Sequence, residues 1–324
     1  MRLLLAELGK LRRPLTYGIA AAAIAACTAF AWQGARNASR SLQPAPSASA
    51  APTCRDFDLP TGSLCNQAIA VQEKIDAFHQ QQAAAQPSTR HNARPTDALP
   101  VEQPLSAGKL ALGFMSSLPG ALLIFLLAAG HVGNEWNGRT IKVVLCQEGR
   151  RWRVLAAKTA SLWLVACAIL LVDWVVLAAL SPVLKAAYPL GGPGLAWSAA
   201  WSAMAADLGR APLTVAVFTV VGVAAAVLVR NALGAFALAA GALVTSLVIA
   251  GNFSELAPWT IAWWVAGWMQ FRSHGYVIYH FWVDGFPAGL SNPGPLTGLV
   301  GLLGVIAVAA GVALWVFRRA DITT

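Results

Sequence analysis

Charged residues are scarce in this 324-residue chain: Asp, Glu, Lys and Arg together make up 11% of it, against roughly 25% in an average soluble domain. Signatures of nucleotide hydrolysis and covalent catalysis are missing. No GxxxxGK[ST] occurs, and Gly108-Lys109 has no preceding glycine at the spacing of a phosphate-binding loop. HExxH, CxxC, GxSxG and paired carboxylates are absent too. The chain therefore has no visible means of hydrolysing ATP or of covalent catalysis alone. If it works against a gradient, a partner supplies the energy.

What replaces charge is hydrophobicity, at 57% of residues. Six apolar runs cover 15–32, 110–130, 159–180, 211–229, 232–250 and 296–317. Each is close to the roughly 20 residues a helix needs to cross about 30 Å of hydrocarbon. None contains Lys or Arg, and only the third contains an acid, Asp173. The pattern predicts an all-α polytopic membrane protein with six transmembrane helices and the lipid bilayer as its solvent. An intramembrane enzyme would need more polar groups in the spans than one Asp and no His.

Lys and Arg mark the side that stays in the cytoplasm. They fall at the N-terminus (Arg2, Lys10, Arg12, Arg13), after the second run (Arg139, Lys142, Arg150, Arg151, Arg153, Lys158), in the turn at Arg230, and at the C-terminus (Arg318, Arg319). Those thirteen face four acids: Glu7, Glu135, Glu148 and Asp321. The other side holds ten basic residues and nine acids. Both termini are expected inside, in the plasma membrane. The pI near 9.8 then reflects topology and calls for no nucleic acid. An Ala48-Ser49-Ala50 sequence follows the first run at too great a distance for ordinary signal cleavage.

Residues 1–14 read as a cytoplasmic amphipathic helix, with Leu4, Leu8 and Leu11 on one face and Pro14 ending it; a simple basic tail is the alternative. Residues 33–109 form the longest extracellular loop. Its flanks, 42–52 and 83–104, are Ala/Ser/Gln/Pro-rich linkers. Between them Asn66 could cap a helix carrying Ala68, Val71, Ile75 and Phe78. Cys54 and Cys65 are disulfide candidates in that oxidising compartment, and a metal site there lacks ligands at suitable spacing. A shorter extracellular loop covers 181–210. Residues 251–295 are aromatic-rich, with Trp259, Trp263, Trp264 and Trp268 in an apolar stretch, 256–271, broken by Pro258. That stretch reads as interfacial or re-entrant. Its rings form either an aromatic belt or a lid over a substrate path, in which Asp173 is a further candidate.

The loop 131–158 is the most informative. It runs Asn134-Glu135-Trp136-Asn137-Gly138-Arg139-Thr140-Ile141-Lys142-Val143-Val144-Leu145 and continues to Arg150, Arg151, Arg153 and Lys158. Ile141, Val144 and Leu145 make an i, i+3, i+4 stripe, so a short amphipathic helix is expected after Gly138, with Thr140 as a possible cap. Here the chain resembles the permease subunits of bacterial ABC-2 type ABC transporters, whose loop reads E-x-x-x-G-T, an aliphatic run, a basic pair and a Lys opening the third span. Glu135, Gly138, Thr140, Arg150 or Arg151, and Lys158 match in order. Arg139 is inserted, and Gln147-Glu148-Gly149 stands where the family often has proline. The long 33–109 loop is not general to that family.

The resemblance implies a permease that pairs with a second permease copy and rests its coupling helix on a separate ABC ATP-binding subunit. ATP and Mg would bind in that subunit and no cofactor in this chain, which would not itself be an enzyme. Exported cargo would be hydrophobic, drug-like or peptide-like. The alternative is a non-transporting sensor or anchor whose 33–109 loop binds a ligand or partner.

Overall fold

The computed structural model describes residues 2–12, 14–42, 104–138, 150–187, 197–270 and 293–319, with isolated helical positions between 63 and 74 that include Asn66 and Val71. No strand occurs among the described residues. A short helix α1 (Arg2–Lys10) leads into α2 (Pro14–Leu42). Then come α3 (Pro104–Met115) and α4 (Leu118–Asn137, with a π-helical turn at Ala129–Gly133). α5 (Arg151–Ala187), α6 (Trp197–Val229) and α7 (Ala232–Asn252) follow. A 3₁₀ turn (Ala257–Trp259), the short α8 (Ile261–Met269) and α9 (Pro295–Arg319) complete the order. Six of these helices, α2, α4, α5, α6, α7 and α9, are long and apolar enough to cross a membrane.

The fourth span, α6, is the hub. It packs against α3, α4, α5, α7, α8 and α9, and buries Ala211, Val215, Phe218 and Val227 along its length. The first, fifth and last spans lie outside it with large apolar side chains such as Leu233, Val248, Leu296 and Val308 exposed. Outward apolar faces are what a hydrocarbon solvent allows, because it withholds the penalty water would impose.

Two boundaries depart from the hydropathy pattern. The second apolar run, 110–130, is two helices, interrupted at Ser116-Ser117. Ser117 is extended (φ −100°, ψ 179°), and Pro119 opens the next helix, where its missing N–H costs nothing. Gly120 makes the turn possible, since a Cβ there would lie 2.5 Å from the Met115 Cα. The membrane-length helix is thereby displaced to Leu118–Asn137 and contains Glu135. The third helix likewise begins at Arg151, so Lys158 lies inside a helix and is buried. Its 37 residues make a rod of about 55 Å, well beyond one hydrocarbon thickness. The 181–210 stretch is accordingly helical at both ends, through Ala187 and from Trp197.

Candidate functional site: a buried charge cluster

At the end of the bundle that carries Lys10, Arg150, Arg151, Arg153, Arg230, Arg318 and Arg319, the chain does something unusual for so apolar a protein. It buries two carboxylates, a histidine and a lysine side by side, with a second lysine partly covered. Glu7 comes from α1, Glu135 and His131 from the end of α4, and Lys158 from α5. Lys158 Nζ stands between the two acids, 2.8 Å from Glu7 Oε2 and 2.6 Å from Glu135 Oε2. Lys10 Nζ closes the other side, 2.8 Å from Glu7 Oε1 and 3.4 Å from Glu135 Oε1. His131 Nε2 lies 3.1 Å from Glu7 Oε2.

Local structure explains how each side chain arrives. Glu7 sits on the same face of α1 as Leu4, Leu8 and Leu11, so docking that apolar stripe on α5 carries the carboxylate inward. His131 projects from the π-helical turn, whose extra residue rotates the helix face; such bulges recur at functional sites. Glu135 follows one turn later.

Electrostatics then hold the group together. Burial alone would raise the Glu7 pKa, but hydrogen bonds with His131, Lys10 and Lys158 outweigh it and hold the carboxyl well below its ordinary 4.5. Burial would lower Lys10, yet Glu7 and Glu135 raise it above 10.5. Two acids against two ammonium groups leave the cluster balanced, the condition under which buried charges are tolerated.

Glu7, His131 and Glu135 offer ligand atoms within 4.8 Å of one another, a spacing that could suit a metal ion. The position such an ion would take is filled by the Lys158 ammonium, which bridges both acids. The donor set is therefore that of an ion-pair network.

Around the cluster, aromatic and arginine contacts tie in the last span. The Arg230 guanidinium lies 5.2 Å from the centre of the Trp136 ring, and Trp136 meets Phe317 edge-on at 6.1 Å. Arg151 donates to the carbonyls of Phe317 (3.2 Å) and Arg318 (3.0 Å), capping the end of α9.

Of the residues expected to couple to a partner, Glu135 and Lys158 meet in this cluster. Gly138 ends α4, with its N–H on the Asn134 carbonyl, Arg150 is exposed, and Arg151 serves α9. Thr140, Ile141, Val144 and Leu145 lie outside the described residues, as do Cys54 and Cys65. Glu7, Lys10 and His131 had no assigned role. An acid in the middle of the α1 leucine stripe was the one signal that could have revealed them.

The aromatic segment is packed inside the bundle. Thr260 caps α8 by accepting from Trp263 N, and Ser246 Oγ of α7 accepts from Ala262 N, both at 3.2 Å. Trp263 is buried, and Trp268 Nε1 donates to the Arg210 carbonyl at 2.9 Å. Trp264 lies on Gly301, where a Cβ would come 2.3 Å from its ring. Trp259 alone of the four is exposed, at 77%. Asp173 is buried on α5 near Cys27 of α2, with no hydrogen-bond partner among the described residues.

No protein-family profile matches this chain, and no curated protein sequence does.

Proposed function

We propose that this chain is the permease subunit of an ATP-driven ABC exporter of the ABC-2 type, with its basic end in the cytoplasm of a plasma-membrane protein. The observation that carries the reading is the Glu7–Lys158–Glu135 bridge. In sequence, the 139–149 segment with its Ile141/Val144/Leu145 stripe connects Gly138, at the end of α4, to Arg150, at the start of α5. A push on that segment reaches α4 at Glu135 and α5 within two turns of Lys158, and the same ion pairs carry it to α1. Packed elements linked this way move as rigid bodies, which is what coupling to a separate ATP-binding subunit requires. The sequence supplies the complement: no phosphate-binding loop of its own.

Cargo crosses between two permease copies in this reading. A path past the outer aromatic segment would need α8 to part from α9, exposing Trp263, Trp264 and Trp268 to a hydrophobic or peptide-like compound. Asp173 would meet a polar group of the cargo. Cys54 and Cys65 close a disulfide in the extracellular loop, and two freely alkylated thiols in non-reduced peptides would remove that element. The direct test of the whole is affinity purification from mild detergent. A Walker-motif ATPase should accompany the chain; purification without one, from cells expressing all neighbouring genes, would sink the proposal.

A further inference from the structure

A groove of about 400 Å³ runs along the outside of the bundle between α5, α6 and α9, its walls including Trp152, Ala160, Trp163, Val220, Ala310 and Leu314. It offers almost no polar handle. Thr159, its one hydroxyl, donates back to the Leu155 carbonyl at 2.9 Å. The Trp163 indole N–H is likewise committed, to the Pro212 carbonyl at 2.9 Å. The occupant of such a groove is hydrocarbon.

Its length and its end say which hydrocarbon. Trp152 to Trp163 spans eleven residues of α5, roughly 16 Å. That is about half of a 30 Å hydrocarbon core, the depth of one leaflet. At the Trp152 end α5 carries the exposed Arg153, and α9 continues beyond the groove to the exposed Arg318 and Arg319. The Arg153 guanidinium lies 5.6 Å from the centre of the Trp152 ring, and that of Arg319 lies 4.3 Å from the centre of the Trp315 ring. Arg318 is beside them. A second copy of this chain docked here would bring those arginines against their own equivalents, which like-charge repulsion opposes.

We infer that this groove binds one acyl tail of an anionic phospholipid from the surrounding bilayer, with the headgroup phosphate held by Arg153 and Arg319. Basic pockets between helices at the positively charged face are suited to anionic headgroups.

The test is native mass spectrometry of the full chain released from vesicles of equal phosphatidylglycerol and phosphatidylcholine. Phosphatidylglycerol should be retained in clear excess. Arg153→Ala with Arg319→Ala should lower that excess by about five-fold per arginine. Ala160→Phe, and independently Ala310→Phe from the opposite wall, should strip the retained phospholipid while leaving both arginines in place. Equal retention of the two lipids by the wild type would overturn the site. So would an excess that survives the arginine changes, or one that survives both phenylalanines. A lipid-free dimer that either phenylalanine dissociates would assign the groove to a second copy instead.

Discussion

At the residue scale, the energetics of the cluster rest on Lys158, whose ammonium is 1% exposed and touches both acids. Removing one member of a buried ion pair costs far more than removing all of them, because the survivor keeps its charge without its partner. Lys158→Met should therefore destabilise the chain by about 3–5 kcal/mol. Adding Glu7→Gln and Glu135→Gln to it should recover much of the loss, read as thermal midpoints in detergent. Losses that simply add would mean the three do not share one network. Stability should also follow pH with a defined sign. Because folding holds Glu7 below 4.5, its contribution is present above that value and disappears as pH falls beneath it. Because folding raises Lys10, its contribution is present below 10.5 and disappears as pH climbs past its raised value. A stability plateau between those limits is expected, and Glu7→Gln should flatten its acid side. An acid side unchanged in that variant would show that other carboxylates dominate.

At the element scale, hydropathy located all six membrane-length helices but misjudged where three of them begin and end. Charges inside a helix pull its hydropathy-based end inward, so 110–130 and 159–180 stopped short of Glu135 and Lys158. Those residues were recognised from the loop pattern, yet their mutual pairing, and their pairing with Glu7, was not legible. The contacts with Glu7 join positions more than a hundred residues apart in the chain, and no local periodicity encodes such a partner. The break at Ser116-Ser117 was signalled only by Pro119 within an apolar run. The α8–α9 contact was equally hidden, because it depends on glycines that look unremarkable in a span. A Cβ at Gly298 would stand 2.4 Å from Trp268 N, and backbone cannot give way as a flexible side chain could. Gly298→Ala should thus cost roughly 1–3 kcal/mol through overpacking, seen as a lower midpoint and new exposure of Trp264. A neutral outcome would mean α8 is only loosely held.

At the scale of the whole molecule, the described part of the chain is an apolar bundle with a four-member buried charge cluster at one end, while Asp173 and Asp207 are buried elsewhere along α5 and α6. That end joins α1, the second and third spans and, through Trp136, Arg230 and Arg151, the last span. In the proposed function, that end receives the mechanical input from the ATP-binding partner. The most direct measurement is ATP hydrolysis by the purified assembly, with and without cargo, in the wild type and in Glu135→Gln. Lys158 also contacts Glu7, at 2.8 Å, so its ammonium retains one carboxylate partner and the variant is expected to fold. The account predicts unchanged basal hydrolysis and a loss of most of the cargo-stimulated increment. Full stimulation in Glu135→Gln would contradict it.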